Sequence, residues 1–276
     1  YKRQNHEVDL VAIGNGTASR ETDSFVRDAI AANPDIQVTR VVVNEAGASV
    51  YSASKVGREE FPSLDVTVRG AISIGRRLQD PLAELVKIEP RSIGVGQYQH
   101  DVHHGELRRC LPEVVESWVN HVGVELNPAS ESLLTHVSGV GPALARSIVS
   151  YRNTHGAFAS RRQLLEVPRF GEKAFEQAAG FLRIRGGENP LDATAVHPER
   201  YDLVSRMVET AGCGLGELIG SRERVDALES ESFVDETVGL PTIQDILSEL
   251  LRPGRDPRDR FEVPHYRDDV TEIGDL

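Results

Sequence analysis

Three groups of residues in this chain are of types that do chemistry. The first is Ser138, Gly139, Val140 and Gly141 in "HVSGVGPALARSIVSYR" (136–152), two glycines around one apolar residue directly before a helical pattern. Glycine permits positive φ and lets another backbone approach closely. Such a turn presents the unpaired first N–H groups of the following helix, at the end where the helix dipole is positive. A phosphate fits there with no contact to a base. The second group is a pair of carboxylates, Glu45 in "VVVNEAGASVYSAS" and Asp80 at the start of "DPLAELVKI". Brought together from a strand end and a helix, they could hold a divalent metal for phosphodiester hydrolysis. The competing reading is that Asp80 caps a helix before Pro81 and Glu45 makes a structural hydrogen bond. The third group is His100, Asp101, His103 and His104 in "QYQHDVHHGE". With no cysteine nearby and Gly105 interrupting the pattern, it reads as a polar surface turn rather than a zinc site. "AIGNGTAS" (12–19) lacks the spacing of a P-loop, so Asn15 and Gly16 also read as a turn.

The carboxylates require a sheet and the glycines require helices, and the chain divides accordingly. "VDLVAIG" (8–14) and "VTRVVVNEAG" (38–47) are short apolar runs of the kind that form buried strands. Between them "SRETDSFVRDAIAANP" (19–34) has a helical pattern, with Ser19 placed to cap it. Strand, helix, strand and a further helical stretch over 70–88 imply a parallel pair in an α/β sheet. Two strands make a poor sheet, so the chain is expected to begin partway through a domain. From about residue 107 helices dominate. In "ELRRCLPEVVESWVNHVG" (106–123), Pro112 should start or kink a helix rather than lie in mid-run. "HPERYDLVSRMVETAG" (197–212) and "LPTIQDILSELLRPG" (240–254) are helical, the latter with Thr242 and Asp245 at capping-box spacing.

An internal repeat links the glycines to a second site. "LLTHVSGVGPALARSIVSY" aligns with "QLLEVPRFGEKAFEQAAGF", pairing Leu134 with Leu164, Val137 with Val167, Val140 with Phe170, Gly141 with Gly171, Ile148 with Ala178 and Tyr151 with Phe181. A repeat that keeps its apolar pattern is one supersecondary unit used twice. The second copy has Arg169 in place of the first hairpin glycine, leaving Arg169 and Lys173 to supply charge.

Charge is unevenly spread. Net charge is −12, yet residues 128–186 carry eight Lys/Arg against four Asp/Glu, whereas residues 187–276 carry nine against 21. A local basic patch matters more for polyanion binding than the charge of the whole chain. Arg146, Arg152, Arg161 and Arg162 fall in the basic segment and are expected to support the hairpin. Hydrophobic content of 39% and charged content of 27% fit a globular protein with a core. No apolar run reaches the ~20 residues of a membrane span, and no signal peptide is evident. Cys110 and Cys213 read as free thiols of a reducing compartment, with a disulfide left open.

The tandem pattern resembles the helix-hairpin-helix family, and the acidic pair resembles the ribonuclease-H-like resolvase fold of the YqgF type. Glu45 would match that fold's second acidic position and Asp80 its third. Its first acidic residue lies on its first strand, and no strand precedes Val8, so the metal site would be incomplete. The succession "AIGNGTASRETD", "VVVNEAGASVYSAS", "RRLQDPLAELVKI", "SIGVGQYQHDV", "FEQAAGFLRI", "NPLDATAVHPERY" and "GLPTIQDIL" resembles the bacterial Tex transcription accessory proteins. That family's layout implies α/β then mostly α structure. Residues 1–92 would be a partial YqgF/RNase H-like domain, 93–127 a connecting helical segment and 128–186 the tandem helix-hairpin-helix. Residues 187–252 would be an acidic helical region and 253–276 a linker towards a missing C-terminal OB-fold that binds RNA. The resemblance implies a cytoplasmic, non-enzymatic protein that binds RNA or DNA and acts with the transcription machinery. It implies no cofactor, metal, membrane or small-molecule substrate. Its binding residues would be Ser138, Gly139, Val140, Gly141, Arg146, Arg152, Arg161, Arg162, Arg169, Gly171 and Lys173. The alternatives are a metal-dependent nuclease using Glu45 and Asp80, and an architectural protein-interaction module.

Overall fold

The computed structural model describes residues 8–33, 35 and 38–253. The expected linker 253–276 therefore lies, beyond its first residue, outside the described residues. The chain forms two compact units, one reaching to Leu107 and the other starting at Arg108. The first is α/β and the second is mostly α.

In the first unit β1 (Leu10–Gly14) pairs in parallel with β2 (Thr39–Val43), from Leu10 opposite Thr39 to Gly14 opposite Val43. Parallel neighbours need a crossover, here α1 (Ser19–Ala31). Ile13, Val41 and Val43 are buried, as apolar β-formers in a covered strand should be. Ser19 does not cap α1: it is the first helical residue and is buried, and Ala18 is the cap position. After β2 come α2 (Ala48–Ala53), α3 (Lys55–Glu60) and α4 (Val66–Gln79). Asp65 caps α4, its carboxylate accepting from the N–H groups of Thr67 and Val68. The pattern over 70–88 is two helices rather than one. Asp80 is extended (φ −148°, ψ 97°) and α5 (Pro81–Leu85) starts afresh behind it. Proline drives the residue before it out of the helical region, and the Asp80 carboxylate then caps α5 through the Ala83 N–H. A short α6 (Pro90–Ile93) leads to α7 (His104–Val122). Pro112 lies inside α7 without ending it. Its ring faces solvent, so the Arg108 carbonyl that loses a helical partner can turn to water.

The second unit opens with the tandem repeat. α8 (Glu131–Leu134), a hairpin and α9 (Pro142–His155) form the first copy. The 3-10 helix Arg161–Glu166, a hairpin and α10 (Glu172–Ala178) form the second. Equivalent residues are equally buried: Leu134 and Leu164 at 0%, Val137 and Val167 at 2% and 3%, Val140 and Phe170 at 2% and 3%. β3 (Val124–Glu125) and β4 (Leu182–Arg183) pair in parallel and fasten the start of this segment to its end. α11 (Tyr201–Ala211), α12 (Leu215–Leu218), α13 (Arg222–Asp226) and α14 (Leu240–Leu251) follow. Leu203, Val204, Met207, Leu218, Ile243 and Leu250 form their core. Gly239 caps α14, so Thr242 is its third residue and not the head of a capping box. Among the described residues no helix is long and apolar enough to cross a membrane.

Candidate nucleic-acid interface

The first hairpin is built from its backbone outward. Leu134 ends α8, and the Val137 N–H donates to the Leu134 carbonyl at 3.1 Å. Val140 then turns inward, its N–H donating to the Val137 carbonyl at 2.9 Å. Gly139 has φ +81°, and a Cβ there would lie 2.8 Å from the Gln177 Cβ of α10. Glycine is required on both counts, torsion and close approach. Gly141 (φ −77°, ψ 172°) is the cap position of α9 and has no side chain to fill the helix end. Gly141, Pro142 and Ala143 are exposed, and no acidic residue lies in the first turn. This helix end offers N–H groups and partial positive charge to an anion.

The second hairpin copies the backbone but not the chemistry. Arg169 has φ +72°, the same left-handed conformation as Gly139, and Gly171 (φ −86°, ψ 176°) is the cap position of α10. The Phe170 N–H donates to the Val167 carbonyl at 3.0 Å, repeating the Val140 bond. Arg169, Gly171 and Lys173 are exposed. Yet Glu172 occupies the first turn, and α10 has only seven residues. A carboxylate there uses the favourable end of the helix dipole itself and repels phosphate.

The flanking residues divide sharply. Arg162 is exposed, and Arg146 is exposed with one ion pair to Glu131 at 3.4 Å. Such a surface pair is weak and leaves the guanidinium free to reach an anion. Arg152 is half-buried. Its Nη1 donates to the carbonyls of Leu126 and Ala129, both at 2.9 Å, and burial pulls its pKa down. Arg161 is 0% exposed. Its guanidinium donates to the carbonyls of Leu182 (2.6 Å), Val196 (2.7 Å) and Thr194 and to the Tyr201 hydroxyl (3.0 Å). Its main-chain N–H donates to Asp192, which also accepts from Tyr201. Arg161 has no surface to offer a ligand, and both arginines hold chain segments together. Ser138 is half-buried, its N–H donating to Asn120 Oδ1 at 3.0 Å and its hydroxyl to Glu116 Oε1 at 3.5 Å. Arg183 is buried too. The basic excess of residues 128–186 is therefore smaller at the surface, where Arg146, Arg162, Arg169, Lys173 and Arg185 remain.

A third turn with a related path into its helix lies in the acidic region, although Thr237, in the place of Gly139, is not left-handed. Val238 is 3% exposed and its N–H donates to the Asp235 carbonyl, as Val140 does to Val137. Gly239 (φ −84°, ψ 164°) matches Gly141, and the Ile243 N–H donates to the Gly239 carbonyl as that of Ala145 does to Gly141. Here the Asp235 carboxylate accepts from the Thr237 N–H and hydroxyl and from the Val238 N–H. These bonds, with help from Arg206, hold its pKa at about 2. The glycine before an early helical proline, shared with Gly141–Pro142, was the available sequence signal.

In the first unit the two carboxylates have separate tasks. Glu45 follows β2, and its carboxylate lies against Gly14 and Gly16, where any Cβ would collide with it. Its N–H donates to Asn15 Oδ1 at 3.1 Å, so the Asn15–Gly16 turn braces the end of β2. Arg77 clamps the same loop through the Asn44 and Ala46 carbonyls, both at 2.8 Å. Asp80 caps α5. Of the other acids here, the half-buried Glu60 accepts from Tyr51, Arg76 and Lys87, and the buried Glu84 accepts from Lys87 at Oε2 while its Oε1 has no hydrogen-bond partner. Burial pushes Glu60 up, but the bonds from Tyr51 and Lys87 prevail and hold it below its ordinary value. Among the described residues no group of three or more His, Cys, Asp or Glu could hold a metal ion. His100, Asp101, His103 and His104 are exposed in and after a turn, where the His103 ring accepts from the Glu106 N–H.

Comparison with known proteins places these units in order. Residues 2–79 match the Tex protein YqgF-like domain, 119–183 the helix-hairpin-helix motif and 189–258 an HHH domain. The last match covers the third turn. The "Transcriptional accessory protein Tex" of Neisseria gonorrhoeae is 58% identical over 271 residues, 98% of this chain and 36% of that protein. "Protein tex" of Bordetella pertussis is 58% identical over 271 residues, 98% of this chain and 34% of that protein. "Protein YhgF" of Escherichia coli K12 is 54% identical over 273 residues, 99% and 35%. The chain thus spans about a third of the length of these curated relatives.

Proposed function

This chain belongs to the Tex family, and from that premise we propose that it is a non-enzymatic factor that binds RNA or DNA by the phosphate backbone, without regard to sequence, in the service of the transcription machinery. The observation that carries the reading is the start of α9: exposed, uncapped, free of acid and set on a glycine that fixes the turn. A phosphate oxygen accepts from main-chain N–H groups there, and Arg146 and Arg162 add charge from the same repeat segment. Backbone contacts position a nucleic acid and carry no sequence information. The second hairpin contributes through Arg169 and Lys173 rather than through its helix end. The Glu45 and Asp80 carboxylates serve structure in this reading, Asp80 by capping α5 and Glu45 by lying against Gly14 and Gly16. In this reading residues 1–92 are a scaffold, 93–127 connect, 128–186 bind, and the acidic 187–252 and the linker 253–276 position further parts of a cytoplasmic protein.

The test is fluorescence anisotropy of this chain with labelled RNA and DNA over a salt series. Affinity should fall linearly on a log–log plot, with a slope near −0.7 to −0.9 per phosphate neutralised. The variant Ala143→Glu sets a carboxylate in the first turn of α9, where it suits the helix and repels phosphate. It should keep its fold and bind at least tenfold more weakly. A flat salt dependence, or unchanged affinity in Ala143→Glu, overturns the reading.

A further inference from the structure

We propose that the groove beside the first hairpin receives one unpaired base of the strand whose phosphate the hairpin grips, with guanine preferred; the proposal rests on the hairpin reading above. The groove, of about 480 Å³, lies within the second unit, between α7 and the hairpin. Glu113, Glu116, Ser117 and His121 line it from α7, Ser138 from the hairpin and Phe181 from the end of the second repeat. That volume is within the range of small-ligand sites.

Three features favour a base. The groove is continuous with the grip, because Ser138 lines it and Gly139 is the next residue. Ser138 is tied to the far wall through Asn120 and Glu116, so hairpin and groove hold a fixed relation. The groove also has flat surfaces. Phe181 is half-buried, and the exposed His121 ring is braced edge-on by Trp118 at 5.5 Å between centroids. Rings of this kind stack on unpaired bases. Its edge carries hydrogen-bond acceptors, the Glu116 carboxylate and that of Glu113, which also pairs with the exposed Arg109 at 3.4 Å. These repel phosphate, so a strand keeps its backbone on α9 and offers only a base. Guanine presents N1–H and N2–H side by side, a donor pair that matches one carboxylate as a guanidinium does. A duplex keeps that edge paired and cannot use the groove.

The test compares single strands of uridines with and without a central guanosine, and a duplex of equal length, by anisotropy at one salt concentration. The variants are Glu116→Gln, which is exposed and keeps the side-chain shape, and Phe181→Leu, which removes the ring and keeps an apolar side chain. Circular dichroism verifies their fold. Each should bind the guanosine-containing strand about tenfold more weakly, the range of a lost base stack, and bind the duplex as before. Ala143→Glu should weaken all three ligands. If it does while Glu116→Gln and folded Phe181→Leu match the parent on every ligand, the groove is not a base site and the hairpin stands. If Ala143→Glu changes nothing, the grip fails and the groove proposal with it.

Discussion

Arg161 and Arg162 are adjacent in sequence and opposite in role, and Arg161→Met shows this most directly. The substitution keeps the length of the side chain and removes its charge and donors. It strands the carbonyls of Leu182, Thr194 and Val196 in a site that is 0% exposed. It also takes the guanidinium donor from the Tyr201 hydroxyl, while Asp192 keeps its bonds from that hydroxyl and from the main-chain N–H of residue 161. One buried polar group without a partner costs about 1–3 kcal/mol, and removing one side of a buried charged network about 3–5 kcal/mol. Relaxation and water entry keep the sum near the second figure, so we expect a loss of about 4 kcal/mol. For a unit of this size that is roughly a 10 °C fall in Tm. Thermal and urea unfolding followed by circular dichroism measure it, and Arg162→Met is the control. The control should keep its Tm and lower the salt slope of nucleic-acid binding by about one. A loss below about 1 kcal/mol in Arg161→Met, or weaker binding at unchanged Tm, refutes the buried role.

Other outcomes follow from the same geometry. Asp80→Ala should cost about 1 kcal/mol through the lost cap of α5 and leave nucleic-acid binding unchanged, as denaturation and anisotropy would show. Gly139→Ala should destabilise by more than about 1 kcal/mol, because the torsion is left-handed and Gln177 is in the way. Arg169→Gly should instead stabilise by a few tenths of a kcal/mol, the relief of left-handed strain less the entropy glycine adds to the unfolded chain. The Asp235 carboxyl is held below its ordinary value of 3.8, at about 2. Its contribution is complete above pH 3.8 and disappears as pH falls towards 2. Carboxyl NMR shifts should titrate near 2 and move up in Thr237→Val.

Residue types and periods sufficed for the elements, because they depend on local rules. The β-branched runs form β1 and β2, and the repeat offset of 30 residues brings Leu134 over Leu164 and Val140 over Phe170 in equivalent burial. Boundaries set by one residue were harder, as with the break at Asp80 and the continuation through Pro112. The roles of the arginines could not be read at all. "SRRQ" does not say which guanidinium points inward, since the acceptors of Arg161 come from residues 182, 194, 196 and 201. Arg152 was hidden in the same way, its partners lying more than 20 residues earlier. The turn before α14 carries little sequence signal, because Thr237 stands in the place of the first glycine and Leu240 separates Gly239 from Pro241.

The left-handed torsion of Arg169 bears on how such domains are recognised. A search for glycine–x–glycine finds 14–16, 94–96, 139–141, 212–214 and 214–216, and passes over 169–171 and 237–239, where arginine and threonine stand at the first position. The torsions at Gly141, Gly171 and Gly239 agree within about 12°, and Arg169 keeps the left-handed turn of Gly139, so the path of the first two hairpins does not depend on both glycines. Once packing from both sides dictates the turn, a duplicate can lose its signature glycine at a cost of about 1–2 kcal/mol. Divergence then erases the motif sooner than the architecture, and counts of ancestral copies made from sequence signatures alone come out low.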